Sequence, residues 1–166
     1  MRYLAVLIIG LVINFSLIAQ ELPEYSRIYD EARDPFADAT AAIKLAQATQ
    51  RNVLIEVGGN WCAWCKKMDA FLVKNPEIYN LLHDNYVLLK VNVSDGNRNK
   101  AFMRGLPSVQ GYPHMFISTA EGKMILSKDT AELQDKQGYS PVIWREFLTK
   151  WQPKTSIQNK SINTED

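Results

Sequence analysis

Val53-Leu54-Ile55-Glu56-Val57-Gly58-Gly59-Asn60-Trp61-Cys62-Ala63-Trp64-Cys65-Lys66 is the most informative stretch of this chain. Its first five residues are almost wholly apolar and rich in β-branched side chains, which predicts a strand covered on both faces. Gly58-Gly59-Asn60 ends that strand, and a helix is expected from about Cys62 through Met68 and Phe71. A cysteine pair therefore stands where a strand passes into a helix. That junction lies at the carboxyl end of the sheet, where open α/β sheets place their sites.

Upstream, Asp34-Pro35 opens a helix whose apolar face is read as Phe36, Ala39, Ile43 and Ala46, ending near Gln50. Downstream, Asn75-Pro76-Glu77 starts a further helix carrying Ile78, Leu81 and Leu82, and residues 86–93 are strand-like. Residues 94–99 have turn chemistry, and a short helix is expected over 101–104. Residues 114–118 and 123–127 read as a hairpin joined by Thr119-Ala120-Glu121-Gly122. Ser140-Pro141 caps a last helix with Val142, Ile143, Phe147, Leu148 and Trp151 as its apolar side. The element order predicts an α/β fold: a central mixed sheet flanked by helices, its first two strands parallel and its hairpin antiparallel. There is no internal repeat.

The ends differ in character from this domain, which spans 34–151. Residues 1–19 read as a cleaved signal peptide, with Arg2, an apolar centre, polar Asn14 and Ser16, and small Ala19 at the end. The alternative is an uncleaved N-terminal membrane anchor, since the stretch approaches the roughly 20 residues a spanning helix needs. No cysteine follows directly, so a lipoprotein is not expected. Residues 20–33, with Pro23 and many charges but no clear period, read as a polar connector, a spacer or extended arm. Residues 152–166 are dominated by polar residues and predicted to be a disordered tail. A formal charge of +1, which loss of Arg2 would bring to zero, gives no electrostatic reason to expect a nucleic-acid partner. The 46% apolar content suffices for one packed core.

Export would place the chain where disulfides persist. Two cysteines separated by two residues make a poor staple, because the loop they close is tiny. The spacing suits thiol–disulfide exchange better, although an inert disulfide stands as an alternative. Cys62, at a helix N-terminus, would have its thiolate favoured by unpaired N–H groups and the helix dipole. Cys65, one turn further in, would be the more buried, resolving thiol. Lys66 and Lys67 follow, either assisting the thiolate or simply solvated. A zinc site would draw on only two Cys and on His83 and His114, too far apart for the usual spacing, so neither a metal nor a cofactor is expected.

Four features together resemble the thioredoxin superfamily over roughly 34–151. They are the run Trp61 to Lys66 straight after an apolar strand, Glu56 six residues before the first cysteine, Lys90 within Leu89-Lys90-Val91-Asn92-Val93, and Gly111-Tyr112-Pro113 before the hairpin. The chain resembles in particular exported thioredoxin-like domains, including the periplasmic C-terminal domain of transmembrane disulfide reductases. The resemblance implies a thioredoxin fold and a catalytic set of Cys62, Cys65, Glu56 and Lys90. Glu56 would be a buried base with a raised pKa, tempered by Lys90; the alternative is a purely structural ion pair. Pro113 would be cis, and Tyr112 would offer backbone groups to an extended substrate. Trp61 and Trp64 would form a substrate platform, with burial of Trp64 against the sheet as the alternative. His114 would either face the cysteines or pack.

The implied activity is thiol-disulfide exchange on exported, periplasmic proteins, as reductant relay or isomerase, with protein disulfides as substrates and a membrane or soluble thiol donor. The alternative is a thioredoxin-fold binding or chaperone module without turnover. A peroxidase reading lacks an identifiable activating constellation. Ala63-Trp64 replaces the family's Gly-Pro and Glu56 its Asp, so the direction of electron flow and the redox potential stay open, as does the oligomeric state.

Overall fold

A computed structural model of the chain describes residues 21–154. The segments read as a signal peptide and as most of the tail lie outside the described residues.

The chain runs through α1 (Pro35–Thr49), β1 (Asn52–Gly58), α2 (Ala63–Lys74), α3 (Pro76–Asn85), β2 (Tyr86–Asn92), α4 (Lys100–Met103), β3 (His114–Ser118), β4 (Met124–Asp129), β5 (Gln134–Asp135), β6 (Gly138–Tyr139) and α5 (Pro141–Trp151). Asp34 starts α1 by accepting the Phe36 N–H at 2.9 Å, with Pro35 at the first helical position. The helix stops where Gln50 takes a left-handed conformation, φ 55°.

The main sheet has the order β2-β1-β3-β4, with β1 and β2 parallel and β3 antiparallel to both β1 and β4. All seven residues of β1 are buried, as a strand covered on both faces requires. Val53, Ile55 and Val57 join Ala42 and Ala46 of α1 in one core layer. Leu54 joins Met68, Leu72, Ile78, Leu82, Trp144 and Leu148 in the other. Glu56 alternates onto this second face with Leu54, and the parallel register sets it beside Lys90. This is a thioredoxin fold, a mixed α/β sheet between helices.

Four details depart from expectation. The buried stripe of α1 is Pro35, Asp38, Ala42 and Ala46, while Phe36 is exposed and packs edge-on against Phe102. Small alanines let the helix approach the sheet closely. In α5 the buried residues are Trp144, Phe147 and Leu148, and Val142 faces solvent. Ser140 starts that helix through its backbone, its carbonyl accepting the Trp144 N–H at 3.0 Å, and makes no side-chain cap. The β5–β6 hairpin, with Gly138 at φ 114°, was not anticipated; its strands are two residues each, too short for a period.

The largest departure concerns the segment read as a spacer or extended arm. It forms a 3-10 turn at Glu24–Ser26 and packs along β2. β2 is an edge strand, yet all its residues are buried. The segment buries Tyr25, Ser26 and Tyr29, while its charges pair locally: Arg33 bonds Asp38 at 2.7 and 2.6 Å. A strip with three inward residues and paired charges has no regular period to read.

Candidate active site

β1 ends at Gly58, and a tight turn delivers Cys62, whose N–H bonds the Gly59 carbonyl at 3.0 Å. Cys62 is the N-cap of α2, and its Sγ accepts the Cys65 N–H at 3.1 Å. The two cysteines are joined in a disulfide, both nearly inaccessible. Once reduced, the Cys62 sulfur sits at the positive end of α2 with a backbone donor already aimed at it. That arrangement favours thiolate over thiol.

The Tyr112-Pro113 bond is cis, and Thr130 Oγ1 holds the Pro113 carbonyl at 2.6 Å. Tyr112 packs against the cluster formed by Cys62, Cys65 and Tyr29. Trp61 is 58% exposed, donates Nε1–H to the Val93 carbonyl at 2.7 Å, and meets Tyr112 edge-on at 5.6 Å. Trp64 is 40% exposed, meets Tyr139 edge-on at 5.9 Å, and carries the Lys67 ammonium 3.9 Å from its ring centroid. Neither tryptophan is buried. One cavity lies between Trp61, Asp95, Arg98 and Tyr112, and another between Trp64, Tyr112, Pro113 and Thr130.

Behind the disulfide lies a buried polar network. Glu56 is 1% exposed and accepts a short hydrogen bond from the Tyr29 hydroxyl. Lys90 Nζ is 3.8 Å from Glu56 Oε1, an ion pair too long to be a hydrogen bond, and 2.5 Å from Asp69 Oδ1. Burial raises the Glu56 pKa and Asp69 adds to the rise, while Lys90 and the Tyr29 hydrogen bond oppose it. Burial alone would lower Lys90, but the Glu56 and Asp69 carboxylates outweigh it and leave its pKa raised. Tyr29 is held well above its usual range, first by burial and then by the neighbouring Glu56 charge.

Glu56 and Lys90 are thus brought together behind the cysteines. Asp69 was missed, although it stands four residues after Cys65, on the same helix face, a spacing visible in the sequence. Tyr29 was missed without any local signal. His114 shares the face of Phe116, opposite to Glu56; its Nε2 is 2.9 Å from Ser127 Oγ, and its pKa is lowered by burial. It packs there and makes no hydrogen bond to either cysteine. Among the described residues, no group of three or more His, Cys, Asp and Glu side chains is placed to hold a metal ion. Among them, no helix is long and apolar enough to cross a membrane.

A sequence model of the thioredoxin-like family matches residues 34–120, just over half of the chain. The chain belongs to the thioredoxin-like family. Curated relatives include the thiol:disulfide interchange protein DsbD of Citrobacter koseri, 29% identical over an alignment of length 104 that covers 56% of this chain and 18% of that protein. DsbD of Salmonella typhi is 29% identical over 79 residues, 48% of this chain and 14% of the relative. The chain therefore spans under a fifth of the length of these relatives. Among solved structures, the disulphide isomerase of Xylella fastidiosa Temecula1 aligns with a TM-score of 0.61 at 25% identity, covering 80% of this chain and 98% of that one. The oxidised C-terminal domain of Neisseria meningitidis DsbD aligns with a TM-score of 0.52 at 17% identity, covering 71% and 93%, a likeness of fold. In this thioredoxin-like chain, the Cys62–Cys65 disulfide stands at the N-terminus of α2, with Cys62 as the N-cap.

Proposed function

We propose that this protein is exported and reduces or isomerises disulfides of other exported proteins, drawing electrons from a membrane or soluble dithiol donor. The observation that carries the reading is the Cys62–Cys65 disulfide at the N-terminus of α2, with a backbone N–H on the Cys62 sulfur and a buried carboxyl group behind it. The donor first reduces this disulfide to two thiols. The Cys62 thiolate then attacks a client disulfide, forming a mixed disulfide and releasing one client thiolate. Cys65 loses its proton to Glu56 and attacks the Cys62 sulfur, so the client leaves fully reduced and the intramolecular disulfide re-forms. Lys90, ion-paired with Glu56 and Asp69, limits how far burial raises the carboxyl pKa. Exposed Trp61 and Trp64 border the disulfide where a client segment would lie, and the Tyr112 backbone would pair with it.

Export rests on the N-terminal sequence, and the interchange and isomerase names of the relatives support the class of reaction. The test is disulfide reduction by the full chain, poised against a glutathione series, beside Cys62→Ser and Cys65→Ser variants. Cys62→Ser should abolish turnover, and Cys65→Ser should accumulate a mixed disulfide with its client. Equal activity in wild type and Cys62→Ser, with only noncovalent complexes, would replace this reading with a binding module.

A further inference from the structure

The exchange network includes a residue from outside the matched family region. Tyr29 belongs to the segment preceding α1, and the thioredoxin-like match begins only at residue 34. Even so, Tyr29 is 3% exposed and forms one buried cluster with Cys62 and Cys65. Its hydroxyl is, among the described residues, the one side-chain group in hydrogen-bond contact with Glu56. Its position is held from both sides. Asn60, in the turn before Cys62, donates Nδ2–H to the Tyr29 carbonyl at 2.8 Å, and Asn97 does the same to the Glu31 carbonyl at 2.8 Å. Gly58 completes the arrangement: a Cβ there would lie 2.6 Å from Cys65 Sγ and 2.7 Å from Tyr29 Oη. The tyrosine hydroxyl and the resolving sulfur thus converge over the same backbone atom.

We propose that Tyr29 is a positioning residue of the exchange site, its hydroxyl holding the Glu56 carboxylate in the state that accepts the Cys65 proton. The inference rests on the oxidoreductase reading above. A hydrogen bond to the charged form of a buried acid favours that form. Glu56 is faced by Lys90 from β2, Asp69 from α2, Tyr29 from the N-terminal segment and, at longer range, Tyr139 from β6; Met115 of β3 pairs with it in register and is apolar. With Lys90 beyond hydrogen-bond distance and nearer to Asp69, the tyrosine supplies the direct contact. No atoms beyond those of the exchange are needed: the Cys65 proton passes to Glu56, the sulfur–sulfur bond of the mixed disulfide breaks, and the Cys62–Cys65 bond forms.

The test uses the reduced full chain mixed with oxidised glutathione, following the conversion of the Cys62–glutathione mixed disulfide to the intramolecular disulfide across pH. The wild-type rate should rise with pH as Glu56 ionises. Tyr29→Phe should move that rise upward by about one pH unit, slowing resolution about tenfold on the acid side. Replacement of Tyr29 by 3-fluorotyrosine, whose hydroxyl is more acidic, should move it downward. In a Glu56→Gln background, Tyr29→Phe should change nothing further. A folded Tyr29→Phe variant whose profile superimposes on wild type, or a shift that persists in the Glu56→Gln background, overturns the assignment. If Tyr29→Phe does not fold, an unmoved profile in the fluorotyrosine protein overturns it instead. A wild-type chain without Cys62-dependent reduction overturns the oxidoreductase reading and this one with it, whereas turnover with superimposed profiles overturns only the role of Tyr29.

Discussion

At Gly58 the backbone passes between two groups of the site, and the side chain it lacks is the one for which there is no room. Cys65 is fixed by the helix and the disulfide, and Tyr29 by its own backbone anchor, so neither is the free end of a flexible side chain. Gly58→Ala should therefore destabilise by about 1–3 kcal/mol through overpacking, lowering Tm by about 5 °C or more in a thermal melt. It should also separate Tyr29 from Glu56. A variant with wild-type Tm would show that the turn relaxes at no cost. Residue identity decides chemistry here: Cys62 and Cys65 were legible because their spacing along one strand–turn–helix run is local, and Glu56 through the family resemblance carried by its place six residues before Cys62. Asp69 was missed, although one helical turn separates it from Cys65. Tyr29 was not legible, because its partner lies 27 positions away and nothing near it in the chain marks it.

Among the elements, the segment before α1 has the least regular sequence and a central structural role. Tyr25 is packed with Val87, Leu89 and Val91 of the edge strand β2, so the segment serves as the cover that an exposed strand edge otherwise lacks. Tyr25→Ala should cost about 3 kcal/mol and selectively shorten hydrogen-exchange protection of the β2 amides; uniform loss across the sheet would contradict the covering role. A second element-level effect lies in the last turn of α3. His83 packs against Tyr79 with ring centroids 4.3 Å apart and the rings tilted, and its pKa is lowered to about 4, by burial first and then by the Arg51 charge. The native state thus resists protonating a group that the unfolded chain protonates near 6.5. Stability tied to His83 is present above pH 6.5 and is lost as pH falls toward 4. Glu56, with its raised pKa, titrates with the opposite slope in acid, so the comparison must be with His83→Gln. The urea midpoint of the wild type should fall more steeply than that of the variant between pH 6.5 and 4; parallel curves would contradict the assignment.

Across the whole molecule, the disulfide lies between two exposed tryptophans, each bordering its own cavity. On the proposed function, the pair Trp61→Ala and Trp64→Ala should raise KM for a protein client about tenfold, the effect of losing about 1.4 kcal/mol of contact, while leaving turnover of a small disulfide such as oxidised glutathione unchanged. Equal loss with both substrates would place the tryptophans in the exchange step itself. Long regular elements were readable along the chain, because β1 and β2 are continuous apolar-rich runs and α2 and α3 carry helical spacing, over seven to twelve residues. Which face each helix buries was less readable: α1 turns Ala42 and Ala46 inward and Phe36 outward, since the distance between helix and sheet decides which side chains fit. By itself the sequence determined the strand–turn–helix setting of the cysteine pair and the mixed sheet, because these follow from local pattern and spacing, while the acid beneath the site was implied by the family resemblance. Only the tertiary structure decided that a polar, aperiodic segment folds back over β2 and lays Tyr29 on Glu56. That contact depends on long-range packing, and packing of an irregular segment leaves no period in the sequence.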